Sequence, residues 1–409
     1  MLNMTWEFKL EPSAEQVSEI ERTLSVCRKV WNYALCERKD WLNSRKCPVN
    51  ACSLRSEYIL SADCPFPGYH RQAKALTAAK KEIHELRSVN AQMLQQVLRK
   101  LDIAWERWRL KRSGLPRFKN QTRMRGFAFP QMLKNCISEM GLKLPQLGWL
   151  KVRWSREIPD LFTVKQARIV HKASGYFVML SLEADVDLPA VPYHGHSLGV
   201  DVGLEYFLST SDGLQVKRPR FLDALSRKLK LLQRRLKKKT KGSKNWLKLQ
   251  KKIARVHQRI ADTRKDWHFK LAHRLCDQAS SIFVEDLDFR IMAKGFLGKH
   301  TLDAGLGQFT NQILPWVCFK RDVYYGQVNA YGTSQECPDC GADVKKDLSV
   351  RVSHCRACGS IKPRDTAAAQ VICTRGQRGM ENACGAEVAG AAVTSFSQLA
   401  LKQEIFRAI

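Results

Sequence analysis

The sequence predicts a mixed chain, α/β and α+β, folded as two lobes. Three observations carry that reading. Two short apolar runs, 198–200 and 282–284, each end on an acid, Asp201 and Glu285, as buried strands that deliver a carboxylate to one end of a sheet would. Alternating strands and long helical patterns share residues 1–187. A double cysteine knuckle follows the second acid.

Along the chain, residues 5–10 alternate like a strand, and Glu11-Pro12-Ser13 ends it. Helical patterns then run over about 14–43 and 69–110, separated by a loop rich in Cys and Pro. Residues 111–120 form a basic connector with Gly114 and Pro116. Strands return over about 125–187, most clearly at 162–171 and 176–185 around a turn at 172–175. The expectation is a small β-barrel from 1–10 and 121–187, with a helical domain, 11–120, inserted after its first strand. Residues 188–196, opening Leu188-Pro189-Ala190-Val191-Pro192, read as a linker. The second lobe takes 197–330 and 361–375. In it, 198–208 and 215 onward suggest a hairpin around Ser211-Asp212-Gly213, followed by basic helices and the Glu285 strand. Residues 301–326 look helical, 325–330 could add a strand, and 331–360 hold the cysteines. The tail, 376–409, has excess Gly and Ala with weak periodicity and is expected to be mobile, with at most a short helix over 388–401.

A chain of 409 residues with 44% hydrophobic content has room for two or more ordinary cores. Its net charge of +30 is not ordinary. Residues 217–274 concentrate it, with 22 Lys or Arg against three acids, Asp223, Asp262 and Asp266. Such a field attracts phosphate backbones, with an affinity that falls steeply with salt. The same segment carries two apolar stripes, Leu222, Leu225, Leu229, Leu232, Leu236 and Leu249, Ile253, Val256, Ile260, on either side of a turn at 241–245. Three-and-four spacing predicts an antiparallel helical hairpin within 217–280, its leucines forming the seam. A charge run is ordinarily a solvated helix face, but the acids that would pair such a face are almost absent, which favours nucleic acid. The tip lysines Lys237, Lys238, Lys239 and Lys241 are the candidates there. A second cluster, WERWRLKRSGLPRFKN, offers Arg109, Lys111, Arg112 and Arg117 for phosphate pairing. Trp105 and Trp108, three apart on one helix face, read as core.

Cys337, Cys340, Cys355 and Cys358 have the spacing C-x2-C-x14-C-x2-C. Each CxxC makes a knuckle, with Gly341 and Gly359 placed for the tight turn, and two knuckles close a tetrahedral structural Zn2+ site. One CxxC could be a redox pair, but the doublet reads as zinc. His354, beside the second knuckle, reads as a surface residue. The sequence holds 14 cysteines, and the polar opening MLNMTWEFKLEP shows no secretory leader, so free thiols in a reducing cytosol are expected. No uncharged apolar stretch approaches the roughly 20 residues needed to span a bilayer, so the expectation is a soluble, cytoplasmic, nucleoid-associated protein without membrane partners. Cys27, Cys36, Cys136, Cys276 and Cys318 read as small core residues. Cys47, Cys52, Cys64 and His70 lack knuckle spacing and are not read as a metal site. Cys373 and Cys384 lie near the tail.

Asp201 in SLGVDVGLEYFLST, Glu285 in SIFVEDLD and Asp365 in PRDTAAAQVI stand on motifs that resemble those carrying the acids of the RuvC/RNase H class of nucleases. Asp365 opens a small-residue stretch that reads as a helix start, where the helix dipole favours an acid. Carboxylates held near one another repel, and a divalent cation between them is the usual solution. Mg2+ takes oxygen ligands and keeps several waters. Two such ions roughly 3.5 to 4 Å apart activate water and stabilise the leaving oxygen in phosphodiester cleavage. The likeness implies a RuvC/RNase H-like nuclease lobe in which Asp201, Glu285 and Asp365 are both catalytic residues and ligands of two Mg2+ ions, with Zn2+ purely structural.

LGVDVG, VEDLD, SQECPDCG and RDTAAAQVI, together with LEPSAEQVSEIERTLSVCRKVWNYAL and NAQMLQQVLRKLDIAWERWRLKRSGLPRFKN, resemble the TnpB family of transposon-encoded RNA-guided nucleases. The likeness runs over most of residues 5–373. It implies a recognition lobe, made of a wedge-like barrel and the helical domain, that grips a guide RNA derived from the transposon end and reads a short motif flanking double-stranded target DNA. Base pairing then opens an R-loop, a single site cuts both strands in turn, and the protein works as a monomer. The chain departs from the family at its third motif, commonly D-R-D-x-N-A-A-x-N. Pro363, Ala367 and Val371 replace the first Asp and both Asn, while Asp365 is kept. The missing amides could have oriented that carboxylate. Two other readings stay open: a guided DNA-binding repressor without cleavage, which would be expected to lose an acid, and an RNA-independent structure-specific nuclease.

Overall fold

The structure, a computed structural model, describes residues 2–46, 60, 63–132, 135–186, 191–347 and 350–387, with the backbone alone for 381–387. The chain divides into two compact units, Met1–Leu188 with Arg407–Ile409, and Pro189–Phe406.

In the first unit, β1 (Leu2–Leu10) turns Leu2, Met4, Trp6, Phe8 and Leu10 inward, the period of two that its alternation predicts. It pairs along its length with β8 (Gly175–Ala184), which forms a hairpin with β7 (Thr163–Lys172). With β2 (Gly126–Phe129) and β6 (Val152–Arg153) the order is β2-β7-β8-β1-β6. Among the described residues this sheet is open, with β2 and β6 as edges, so the closed barrel expected from the sequence is not seen. A separate three-stranded sheet, β3 (Ile137–Ser138), β4 (Gly141–Leu144) and β5 (Gly148–Leu150), comes from runs too short to show any period.

Ser13 starts α1 (Ala14–Ser44) with a capping box, exchanging hydrogen bonds with Gln16. The helical pattern over 69–110 is not one helix. It breaks into α2 (Tyr69–Glu82), α3 (His84–Arg87) and α4 (Ala91–Arg109), because Ile83 is extended and Asn90 caps a new start through Gln92 N. These helices lie in the chain between β1 and β2 and belong to the same compact unit. Trp105 is buried, with Trp108 half-buried edge-on against it. Cys27 and Cys136 are buried, but Cys36 is exposed and its thiol donates to Asp40, which corrects its reading as a core residue. Cys47 and Cys52 lie outside the described residues.

In the second unit β9 (Ser197–Val202), β10 (Tyr206–Thr210) and β11 (Gln215–Lys217) form an antiparallel meander. β12 (Ser281–Glu285) lies parallel to β9, and β13 (Tyr324–Val328) parallel to β12, giving the order β11-β10-β9-β12-β13. Two long helices build the basic hairpin, α5 (Phe221–Lys237) and α6 (Lys244–Gln278). Phe221, Leu229, Leu232, Ile253, Val256 and Ile260 form its seam, flanked by Leu222, Leu225, Leu236 and Leu249. After α7 (Phe289–Met292), the helical stretch expected over 301–326 is α8 (Gly298–Ala304), α9 (Leu306–Gln308), a π turn at Phe309–Ile313 and α10 (Leu314–Lys320), and it stops short of 326 because β13 begins at Tyr324.

The strand pair β9 and β12 is apolar on both faces, for different reasons. Leu198, Val200, Ile282 and Val284 pack with Leu271, Ala272 and Leu275 of α6 and with Phe309 and Leu314. The other face takes α11 (Arg364–Glu387). A side-chain carbon at Gly199 would stand 1.9 Å from the Ala369 carbonyl oxygen, and one at Gly376 would stand 2.3 Å from the Phe283 ring. The helix therefore rests directly on strand backbone, which only glycine permits. α11 continues to Glu387, past the tail boundary expected at 376. Residues 388–409, with the short helix expected there, and 188–190 of the linker lie outside the described residues. Among the described residues no helix is long and apolar enough to cross a membrane.

Candidate carboxylate site and cysteine module

Strand register places the first two acids. β9 and β12 are parallel with Val200 opposite Val284, so Asp201 and Glu285 come next on the neighbouring strands and turn to the face that α11 covers. On α11, Asp365 lies four residues before Ala369, which crosses Gly199, so the helix face that seats on β9 also carries the third acid. Asp201 registers the arrangement electrostatically. Burial, then the charges of Glu285 and Asp365, push its carboxyl up to about 8, against a smaller pull from Arg364. Burial also raises Glu285, while a hydrogen bond from Thr333 and the charge of Arg375 pull it back. Asp201 thus feels the charge of both other acids. Among the described residues, the four cysteines are the group whose candidate ligand atoms all lie within 4.8 Å of one another.

Those cysteines have the geometry of a closed site. Cys337 Sγ is 3.6 Å from Cys358 Sγ, and Cys340 Sγ is 3.5 Å from Cys355 Sγ. Sulfurs bound at about 2.3 Å to one tetrahedral ion would stand roughly 3.8 Å apart, so the cluster fits zinc. Each knuckle is built alike: Gly341 N donates to Cys337 O, and Gly359 N to Cys355 O, both glycines having φ near +75°. Backbone N–H groups of the second knuckle, led by that of Cys358, lower the Cys355 thiol to about 6, toward the thiolate a metal takes. His354 is exposed on β14 (Val352–His354), which pairs with β15 (Ile361–Pro363).

The module also braces the acids, through residues that sequence reasoning missed. Thr333 donates to Glu285 from the segment just before the first knuckle. Arg364 donates from its side chain to the carbonyls of Asp347 and Val350, and from its backbone to Arg351 O. Arg375, about three turns further along α11, pairs with Glu336 at 2.6 Å and donates to the carbonyls of Asn329 and Tyr331. Thr333 falls within no recognisable spacing, and Arg364 and Arg375 are two arginines among many, so only the fold exposes their roles. Of the residues that depart from the family pattern, Ala367 and Val371 are buried on α11, and Pro363 ends β15.

The basic candidates fall in both units. Lys237, Lys238, Lys239 and Lys241 are exposed at the hairpin tip. In the first unit Arg109, Lys111, Arg112 and Arg117 are exposed, with Arg109 paired to Glu106.

Serine at Cys337 or Cys358 is expected to lower bound zinc and loosen the start of α11, since a four-thiolate ion supplies local folding energy beside Asp365. Elemental analysis and proteolysis of the two variants would check this. A purified wild-type protein that is active and zinc-free would refute it.

Three family profiles match the chain: "Probable transposase" of the OrfB IS605 type over 178–295, a Cas12f1-like TNB domain over 307–372, and a helix-turn-helix domain over 1–47. The "Putative RNA-guided DNA endonuclease InsQ" of Escherichia coli (strain K12) is 28% identical, covering 93% of each chain. A protein of the same functional name from Streptomyces pristinaespiralis is 31% identical, covering 93% of this chain and 90% of its own. Among solved structures, the mini-RNA-guided endonuclease CRISPR-Cas_phi3 is similar over 91% of this chain and 92% of its own, at 10% identity and a TM-score of 0.44. The matches define a nuclease, a hydrolase of phosphodiester bonds. Within that class the chain belongs to the TnpB family of transposon-encoded RNA-guided nucleases.

Proposed function

We propose that the protein is an RNA-guided, Mg2+-dependent DNA endonuclease whose RuvC-like site is formed by Asp201, Glu285 and Asp365. The observation that carries this reading is the convergence of β9, β12 and α11, with Asp201 raised toward about 8 by burial and the two other acids. A carboxylate that holds its proton so firmly at neutral pH is under-compensated, and a divalent cation is the compensation its oxygen donors suit. Three hard oxygen donors fit Mg2+, which when bound would activate water and stabilise the leaving oxygen. The chain's own groups position this chemistry: Thr333 orients the Glu285 carboxylate, while Arg364 and Arg375 tie α11 to the cysteine module. By the resemblance, the first unit is the recognition lobe, the guide is cut from the transposon end, and a monomer cleaves beside a short flanking motif. The relatives' names support the guided-nuclease part of this reading.

The deciding experiment is sequencing of RNA that co-purifies with the protein, followed by cleavage of matched and mismatched duplexes with Mg2+ or EDTA. A discrete co-purifying RNA and guide-dependent cutting are expected. Cutting that ignores RNA would favour the structure-specific nuclease, and binding without cutting would favour the repressor.

The hairpin yields a separate expectation. Glutamine at Lys237, Lys238, Lys239 and Lys241 keeps helix propensity and removes four exposed charges. Affinity for guide or target should fall, and the salt slope should become shallower by about 0.7 to 0.9 per lost phosphate contact. Parallel salt titrations of equal affinity for wild type and the fourfold variant would show that the tip touches no nucleic acid.

A further inference from the structure

The first unit contains a cavity of about 120 Å³ whose charges are all of one sign. Lys100 of α4 and Lys119 of the connector stand half-buried in it, with Trp31 of α1 behind them, and Arg123, Arg125 and Arg168 are exposed around it. Lys119 Nζ lies 3.3 Å from the centroid of the Trp31 ring. That cation–π contact partly replaces lost water but cancels no charge. Among the described residues, none of Lys100, Lys119, Arg123, Arg125 or Arg168 has an ion-pair partner. Cys27, whose charge would reach both lysines, is no counter-ion, because burial pushes its thiol up to about 12. The energetic signature follows. Burial, then the charge of Lys100, brings Lys119 down to about 8, and burial followed by Arg168 lowers Lys100 as well.

Such a pocket destabilises the free protein, since desolvated like charges cost energy and apolar replacements of similar volume are commonly tolerated or stabilising. It is relieved by an anion of small size and high charge.

We propose that the Lys100–Lys119–Arg168 cavity is a phosphate-binding site that holds one phosphate group of a nucleic-acid strand. This rests on the proposed nucleic-acid function and adds to it a fixed anchor point in the first unit, distinct from the exposed arginines and lysines of 109–117. Lysines supply point charges from the floor, and the Arg168 guanidinium supplies a planar fork at the opening suited to two phosphate oxygens. A terminal phosphate monoester and an internal phosphodiester present the same chemistry to such a site. Burial of Lys100 and Lys119 on the floor gives the pocket a depth that a solvated charge run lacks.

The test uses the full chain and two single variants, Lys100→Gln and Arg168→Gln, the second an exposed position whose replacement leaves the core untouched. Equilibrium binding of 5′-phosphorylated and 5′-hydroxyl single-stranded RNA and DNA oligonucleotides is measured over a range of salt. Each variant is expected to bind severalfold more weakly, with a salt slope shallower by about 0.7, the loss of one contact to a single strand. If the variants lose affinity only for 5′-phosphorylated strands, the occupant is a terminal phosphate; an equal loss for both kinds of strand identifies a backbone phosphate. Thermal unfolding of the wild type in sodium phosphate and in sodium chloride of matched ionic strength gives an independent readout. Phosphate is expected to raise the midpoint, and less so in Lys100→Gln. Unchanged affinities and parallel salt lines for both variants, with wild type binding normally, would overturn the pocket alone. A wild type that binds no strand at all would instead overturn the functional reading beneath it.

Discussion

Alanine at Asp201, Glu285 or Asp365 is expected to abolish cutting while leaving RNA and target binding largely intact. Ligands of a catalytic ion serve the transition state more than assembly of the complex, so the loss should exceed the roughly 10- to 100-fold that an outer-shell partner costs. Cleavage and binding measured on the same preparations with Mg2+ would decide it, and full cutting by any one variant would remove that residue from the site. Asp201 adds a test that needs no cleavage. Its folded carboxyl, at about 8, lies above the roughly 3.9 of an unfolded Asp. A raised acid costs the metal-free protein nothing below the unfolded value. It then costs progressively more stability as pH climbs from about 4 toward 8, where the folded group at last ionises. Asp201→Asn should therefore stabilise the metal-free protein, by on the order of 1 kcal/mol or more, and the gain should be larger at pH 8 than at pH 5. Thermal melts in EDTA at the two pH values measure it. A gain independent of pH would mean that Asp201 is not held in its neutral form.

Valine at Gly199 is the other large effect expected. The new side chain would meet the Ala369 carbonyl and the Cys373 backbone, neither of which can turn away as a flexible side chain could. α11 must then lift from β9. Overpacking of this kind costs about 1 to 3 kcal/mol or more, and because the same helix carries Asp365, cutting should fall much further than the melting temperature suggests. The contrasting control is Gly213, at a turn with open space around it, where alanine meets nothing and only its φ of +88° is strained. Comparable losses of cutting in the two variants, at equal stability, would count against the seating of α11 as the device that positions the third acid.

Sequence made the second unit far more legible than the first. Asp201 and Glu285 could be placed because each ends an uninterrupted apolar run, and a run buried on both faces is what a strand between two helical layers requires. The cysteine spacing and the leucine stripes of α5 and α6 were readable because a metal knuckle and a helical seam each have a fixed period. The first unit was harder. Alternation in β1, β7 and β8 announces strands but not closure, and whether a sheet closes depends on pairings between strands that no local pattern encodes. The break between α2 and α4 turns on the extended Ile83, which sits inside a stretch of good helix formers. At the site, the acids were visible and their supports were not. Thr333, Arg364 and Arg375 act through backbone carbonyls and a carboxylate that folding alone brings to them.

The order in which the three acids occur along the chain has a consequence for biosynthesis. A ribosome completes β9, then β12, and reaches α11 only after the cysteine module. Until then Gly199, Phe283 and Val328 form an uncovered sheet face, since Ile372 and the rest of their cover have not been made. A nascent chain, or one truncated before Arg364, thus lacks the third acid of the proposed site and is marked by exposed apolar surface of the kind that chaperones and proteases detect. For an enzyme that breaks DNA through the site proposed above, this timing would withhold the hazardous chemistry from incomplete copies and direct them toward disposal.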